Sequence, residues 1–131
     1  MVLRREALLW MRQAESDLKK AENDLKTGDW DSAAFWSQQT AEKALKAILI
    51  NAGKVYRGHD LLGIGESLKL ELEIDIDSIL KDLRELTIHY TISRYPNAAN
   101  ALPMELYDEE KARGLVEMAR RVLKWSKQYL R

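Results

Sequence analysis

Residues 7–25, ALLWMRQAESDLKKAENDL, place a small or apolar side chain at every fourth and then every third position. These positions are Ala7, Met11, Ala14, Leu18, Ala21 and Leu25. The spacing keeps them on one side of an α-helix and is typical of a seam that packs against another helix. Glutamates and lysines on the other faces favour a solvated surface with i,i+4 ion pairs. We therefore predict an amphipathic helix that ends at Gly28, because glycine readily adopts the left-handed conformation that terminates helices.

The rest of the chain is also helical in pattern. Further helices are predicted over residues 30–50, 59–70, 77–95 and 108–130. Asp29 or Asp31 is suited to cap the second helix and Asp75 or Asp77 the fourth, which ends before Pro96 because the residue ahead of a proline avoids the α conformation. The pattern predicts an all-α fold, an up-and-down bundle of four long helices plus one short helix, in a single domain over residues 1–131.

The amino-acid composition excludes several classes of protein. A length of 131 residues with 46% hydrophobic side chains fits one globular domain. The absence of cysteine excludes a disulfide scaffold, a cysteine nucleophile and a zinc finger. No run approaches the roughly 18 apolar residues of a membrane span, and the first residues lack a signal peptide's apolar stretch, so we expect a soluble cytoplasmic protein. The 21 basic residues balance 21 acidic ones, which argues against a general binder of polyanions.

Several motifs resemble those of HEPN domains, in the same order along the chain. They are AESDLKKA at residues 14–21, GDWDSAAF at 28–35, QQTAEKALKA at 38–47, HDL at 59–61 and SRYPNA at 93–98. The segment from Tyr107 to Trp125 resembles the closing helix of that family. The resemblance spans nearly the whole chain.

This resemblance implies a small helical bundle that forms a homodimer and binds nucleotides. It also implies a partner, a minimal nucleotidyltransferase, with which such domains form toxin–antitoxin pairs. Many HEPN members are metal-independent ribonucleases with an Arg-x4–6-His motif, and Arg84 and His89 match its spacing. Active members usually carry Asn, Asp or His after the arginine, where this chain has Glu85. Toxin members carry a tyrosine two residues after the histidine, where this chain has Thr91.

The chemistry of RNA cleavage explains why one arginine and one histidine can suffice for catalysis without a metal ion. A histidine can move a proton at the 2′-hydroxyl or at the leaving oxygen, and an arginine can stabilise the charge on the phosphorus centre. Five residues along a regular helix, however, leave Arg84 and His89 about 140° apart around the axis. We therefore expect either a distorted helix near Thr87 or a site assembled from two protomers.

A structural interpretation of the same residues remains open. His89 lies one helical turn after Glu85 and could pair with it, and Arg84 could pair with Asp77. His59 follows a glycine at a helix start, where a role in fixing the loop is expected. The two histidines are 30 residues apart with no carboxylates at metal-ligand spacing, so we predict no metal site and no cofactor.

Arg94 and Tyr95 form a second candidate site, for nucleotide binding. Tyr95 offers an aromatic face to a base and Arg94 a planar fork to a phosphate. The alternative is that Tyr95 packs under the loop and Arg94 caps the fourth helix. Residues 111–131 carry seven basic side chains and one acidic one, which form either a phosphate-binding stripe beside this loop or a solvated face.

Two functions follow from these observations. In the first, a HEPN homodimer binds nucleotide or RNA and cleaves RNA without metal, with His89 as general acid/base and Arg84 as transition-state stabiliser. In the second, the bundle is a non-catalytic module that recruits or regulates a partner nucleotidyltransferase.

Overall fold

The computed structural model describes residues 2–130, which form helices and contain no strand. The α-helices are α1 (Val2–Thr27), α2 (Trp30–Asn51), α3 (Leu61–Leu72), α4 (Asp77–Thr87), α5 (His89–Ile92), α6 (Pro96–Ala99) and α7 (Glu109–Lys127). Two 3-10 turns follow α6 and α7, at Pro103–Glu105 and Gln128–Leu130. The predicted all-α class is confirmed. The predicted short helix corresponds to α3, and the four long ones to α1, α2, the α4–α5 region and α7.

The three longest helices pack side by side, with α1 antiparallel to both α2 and α7. The cross-helix pairs that show this are Asp24–Ser32 and Asp17–Lys43 for α1 with α2, and Glu22–Arg120 and Glu15–Lys127 for α1 with α7. In each case a lower number on α1 meets a higher number on its neighbour. The seam predicted on α1 is buried at Ala7, Ala14 and Ala21, whose small side chains allow the helices to approach closely.

The opposite side of α2 faces the main core. There α2 packs against α3, α4 and α7, and the largest fully buried side chains of this core include Leu45, Leu49, Leu61, Leu68, Leu83 and Leu86. Burying a leucine contributes about 1.5–3 kcal/mol. This core fixes the end of α4, where the candidate catalytic residues lie.

The fourth predicted helix is not continuous. It ends at Thr87, and a separate turn, α5, begins at His89 after an interruption at Ile88. The Thr87 hydroxyl accepts a hydrogen bond of 2.9 Å from the backbone N–H of Leu61, the first residue of α3. This bond ties the end of α4 to the start of α3. The single helix predicted up to Pro96 is wrong, because the segment is divided in two next to Thr87.

Helix starts differ from the prediction in detail. Asp60 caps α3, since its carboxylate accepts from the Gly63 N–H, so the helix begins after His59 rather than at it. Asp108 caps α7, since its carboxylate accepts from the Lys111 N–H, and Gly28 adopts the expected left-handed conformation with φ +81°. None of the helices between Val2 and Leu130 combines the length and the apolar character that crossing a membrane would take.

Candidate functional site

His89 is the first residue of α5 and is only 2% exposed. Its Nδ1 lies 2.6 Å from the hydroxyl oxygen of Tyr107, and the two rings meet edge to face. Tyr107 is itself buried at the end of the loop that leads into α7. The hydrogen bond therefore fixes the orientation of the imidazole.

His89 borders an open cleft. Within residues 2–130 no buried side-chain nitrogen or oxygen lacks a hydrogen-bond partner, and the recorded bond of His89 is at Nδ1. Nε2 must therefore reach solvent. The cleft that His89 borders has a volume of about 350 Å³ and is lined also by Glu85, Asp108, Glu110, Lys111, Gly114, Leu115 and Met118. It separates the α4–α5 region from α7.

Burial and charge keep the His89 imidazole neutral. Desolvation, and secondarily the positive charge of Lys111, lower the pKa of His89 to about 4. Burial, and secondarily the charge of Asp31, raise the pKa of Tyr107 to about 12. Tyr107 therefore keeps its proton at neutral pH. If Nδ1–H donates to the tyrosine oxygen, Nε2 carries a lone pair and can accept a proton.

Arg84 lies apart from this cleft. Its side chain is exposed on α4, and the cleft beside His89 is lined by the adjacent Glu85 instead. The structure therefore does not bring Arg84 and His89 together on one cleft within a single chain. Neither alternative pairing is seen among residues 2–130, since His89 bonds to Tyr107 rather than to Glu85, and Arg84 makes no ion pair with Asp77.

Arg94 is held between aromatic rings. Its guanidinium carbon lies 4.5 Å from the ring centres of both Phe35 and Tyr90, and 4.7 Å from that of Tyr95. Its Nε donates to the Tyr90 carbonyl oxygen at 2.9 Å, so it also satisfies a carbonyl near the end of α5. Tyr95 is 47% exposed and therefore presents ring surface to solvent.

A second cleft opens beside Arg94, between the start of α2 and the segment that follows α5. Its volume is about 450 Å³. The lining residues are Asp31, Ser32, Phe35, Ser93, Arg94, Leu102, Pro103 and Met104. The Ser93 hydroxyl donates to the His89 carbonyl oxygen, which connects this cleft to the first one.

His59 contributes to the other side of the same aromatic stack. Its ring lies parallel to that of Tyr90, with centres 3.9 Å apart. Its Nδ1 lies 3.0 Å from the carboxylate of Glu42, which is 4% exposed and also binds Lys46. Gln38 donates to the His59 carbonyl oxygen. These bonds fasten the loop between α2 and α3 to α2.

Comparison with known proteins gives the family. The sequence model of the family described as HEPN domain matches residues 7–129 of this chain. The chain belongs to the HEPN domain family. A protein of Methanocaldococcus jannaschii named "Putative toxin MJ1304" is 31% identical over 134 residues, which cover 95% of this chain and 88% of that protein.

Solved structures agree with this assignment to the HEPN family. TT1696 from Thermus thermophilus superimposes with a TM-score of 0.86 at 30% identity, covering 94% of this chain and 97% of that one. ST0689, described as an archaeal HEPN homologue, gives a TM-score of 0.79 at 34% identity, covering 95% and 98%.

The closing helix of this HEPN domain carries fewer free charges than its sequence indicates. Four of its basic residues form ion pairs, which are Arg113 with Glu109, Arg120 with Glu22 and Glu117, Arg121 with Asp82, and Lys127 with Glu15. Helix α7 packs against α1, α2 and α4. Much of its charge is therefore compensated, which favours the solvated face over a phosphate-binding stripe.

Four residues that contact His89 or border the two clefts of the HEPN domain are not predicted as functional by the sequence. Tyr107 and Lys111 surround His89, and Asp31 and Phe35 border the cleft beside Arg94. The i,i+4 spacing of Asp31 and Phe35 places them on one face of α2, but only the fold shows that this face meets Arg94. Within residues 2–130 no group of three or more histidines, aspartates and glutamates could hold a metal ion.

Proposed function

We propose that this protein is the HEPN component of a toxin–antitoxin-type module and cleaves RNA without metal. The observation that carries the proposal is the setting of His89, whose Nδ1 is fixed by Tyr107 and whose ring borders an open cleft. A general acid/base needs this combination of fixed orientation and access to substrate. The likeness to the M. jannaschii protein that is named as a toxin supports the module.

The proposed reaction is an internal transfer at phosphorus. Nε2 of the neutral His89 takes the proton of the ribose 2′-hydroxyl, and the 2′-oxygen forms a bond to the adjacent phosphorus. The bond from phosphorus to the 5′-oxygen breaks, and that oxygen receives the proton from the His89 imidazolium formed in the first step. The products are a 2′,3′-cyclic phosphate and a free 5′-hydroxyl. A guanidinium from Arg84 would bind the phosphate oxygens as their charge develops.

A homodimer completes this site. Arg84 does not border the cleft of its own His89, so the arginine of a second copy is the one that would bind the phosphate there. Symmetric dimers place the same surface of both copies at the interface, and a two-fold axis near the end of α4 would form two equal sites.

Arg94 and Tyr95 are proposed to bind the nucleotide next to the one that is cleaved. The Nε of Arg94 is occupied by a carbonyl, but its terminal amino groups have no partner among residues 2–130 and can bind an anion or a base edge. The exposed ring of Tyr95 can stack on a base. Ser93, which borders the cleft of Arg94, donates to the carbonyl oxygen of His89, and this proximity supports neighbouring subsites.

The test is cleavage of single-stranded RNA in the presence of EDTA by the wild type and by His89→Gln. Loss of a general acid/base typically lowers the rate by about 10²–10⁴-fold. Tyr107→Phe is the matched control, because it removes the hydrogen bond and keeps the imidazole, so we expect a smaller loss. Far-ultraviolet circular dichroism verifies that both variants are helical. Equal cleavage by the wild type and a folded His89→Gln would overturn the assignment.

A non-catalytic module is the second candidate, and one observation favours it. Three carboxylates, those of Glu85, Asp108 and Glu110, border the cleft of His89 and would repel phosphates. In that case the bundle recruits or regulates a nucleotidyltransferase. Absence of cleavage by the wild type, together with a stable complex with such a protein, would identify this function.

A further inference from the structure

The cleft beside Arg94 has the size and polarity of a site for a small organic ligand. Its volume of about 450 Å³ lies within the range of roughly 300–1,000 Å³ that is usual for such sites. Leu102, Pro103 and Met104 supply apolar surface, and Asp31 and Arg94 supply opposite charges. These two charged side chains border the same cleft and form no ion pair with each other.

Arg94 offers hydrogen-bond donors in a fixed direction. Two aromatic ring centres lie 4.5 Å from its guanidinium carbon, and its Nε is bonded to the Tyr90 carbonyl. The N–H groups of a guanidinium lie in its plane, so the N–H groups of Arg94 that remain free donate along its edge. An arginine edge of this kind presents two parallel donors.

Asp31 and two serines offer the acceptors. Asp31 lies in the first turn of α2, where the helix dipole favours a negative charge, and it has no hydrogen-bond or ion-pair partner within the described chain. The hydroxyls of Ser32 and Ser93 already donate, to Asp24 and to the His89 carbonyl respectively. They can therefore act only as acceptors toward a ligand.

Guanine is the nucleobase that complements this arrangement. Its N7 and O6 form a pair of acceptors that suits an arginine, while its N1–H and N2–H₂ form a pair of donors that suits a carboxylate. Adenine offers one donor beside N7 in place of the second acceptor, and the pyrimidines lack N7. We propose that this cleft binds guanine, with Arg94 contacting N7 and O6 and Asp31 contacting N1–H and N2–H₂. The inference rests on the proposed binding of nucleotide or RNA and assigns its base.

Calorimetric titration of the full chain with GMP, AMP, IMP and 7-deaza-GMP tests the inference. IMP lacks the 2-amino group that Asp31 would bind, and 7-deaza-GMP lacks the N7 that Arg94 would bind. We expect GMP to bind at least about tenfold more tightly than AMP, with the other two analogues weaker than GMP. Equal affinity for GMP and AMP, or no binding of GMP at millimolar concentration, would overturn the inference.

Two variants separate base recognition from a general loss of binding. Asp31→Asn should abolish the difference between GMP and IMP, because one acceptor oxygen becomes a donor. Asp29→Asn is its matched control, since Asp29 precedes α2 and its carboxylate accepts from Thr27 instead of bordering the cleft. An unchanged GMP/IMP ratio in Asp31→Asn would contradict the assignment.

Failure of the guanine inference can be distinguished from failure of the proposed ribonuclease activity. Cleavage of RNA at positions unrelated to guanine would overturn the guanine inference and leave the ribonuclease standing. Selective binding of GMP by a protein that cleaves no RNA would support the guanine site and remove the catalytic proposal.

Discussion

His89 couples the stability of the protein to pH. In the folded chain its pKa is about 4, because burial and the charge of Lys111 both disfavour protonation. In the unfolded chain a histidine has a pKa of about 6.5. Unfolding therefore takes up a proton between about pH 4 and pH 6.5. The stability that comes from a neutral His89 is complete above pH 6.5 and is lost as the pH falls through this range.

Urea denaturation of the wild type and of His89→Gln at pH 7 and at pH 4.5 measures this coupling. We expect the free energy of unfolding of the wild type to fall by about 2 kcal/mol more than that of the variant over this interval. Glutamine has no charge to gain, so the variant reports the contribution of all the other titratable groups. Equal losses in the two proteins would contradict the low pKa of His89.

At the residue scale, the sequence shows which residues could act in the site and how far apart they lie along the chain. It does not show which side chains surround them in the fold. The interval from Arg84 to His89 is visible in the sequence, whereas the burial of His89 depends on a loop that brings Tyr107 back from 18 positions away. Arg94 is likewise covered by Phe35, a residue of α2. Such long-range contacts set the pKa and the direction of a side chain, and no local pattern encodes them.

The separation of α4 from α5 depends on a contact between distant elements. The apolar spacing of the fourth predicted helix continues to Tyr90, so periodicity alone gives no sign of an interruption. The Thr87 hydroxyl instead accepts from the first N–H of α3, one of the groups that a helix start leaves without a partner. Helices with a strong apolar periodicity, such as α1 and α7, are predictable because the spacing of their own side chains favours a helix.

Thr87→Val tests the importance of this connection. Valine keeps the shape of threonine but removes the acceptor, so the partly buried N–H of Leu61 loses its bond. We expect a loss of about 1–3 kcal/mol in the free energy of unfolding, measured by urea denaturation. Thr91→Val is the matched control because Thr91 is exposed on α5. Equal stability of Thr87→Val and the control would show that the bond is not important.

For the whole molecule, the position of Arg84 outside the cleft of its own His89 predicts shared sites in a dimer. Arg84→Ala and His89→Gln should each be inactive alone. A 1:1 mixture that exchanges subunits freely should recover up to about a quarter of the wild-type activity, because half of the dimers then contain one intact site out of two.

Two observations control this experiment. Mixing Arg84→Ala with a chain that carries both substitutions should recover nothing, since no intact site can form. Sedimentation should give about twice the chain mass of 15.2 kDa. A monomer at micromolar concentration, or exchanged subunits without recovered activity, would rule out the shared site.

The order of synthesis gives the contact between His89 and Tyr107 a further consequence. Tyr107, which contacts His89, and α7, which lines the cleft, are both translated after His89. Until those residues leave the ribosome, the imidazole has neither its hydrogen-bond partner nor its apolar cover. A nascent chain therefore carries the histidine without the cleft, and the proposed nuclease is completed only once α7 has been translated.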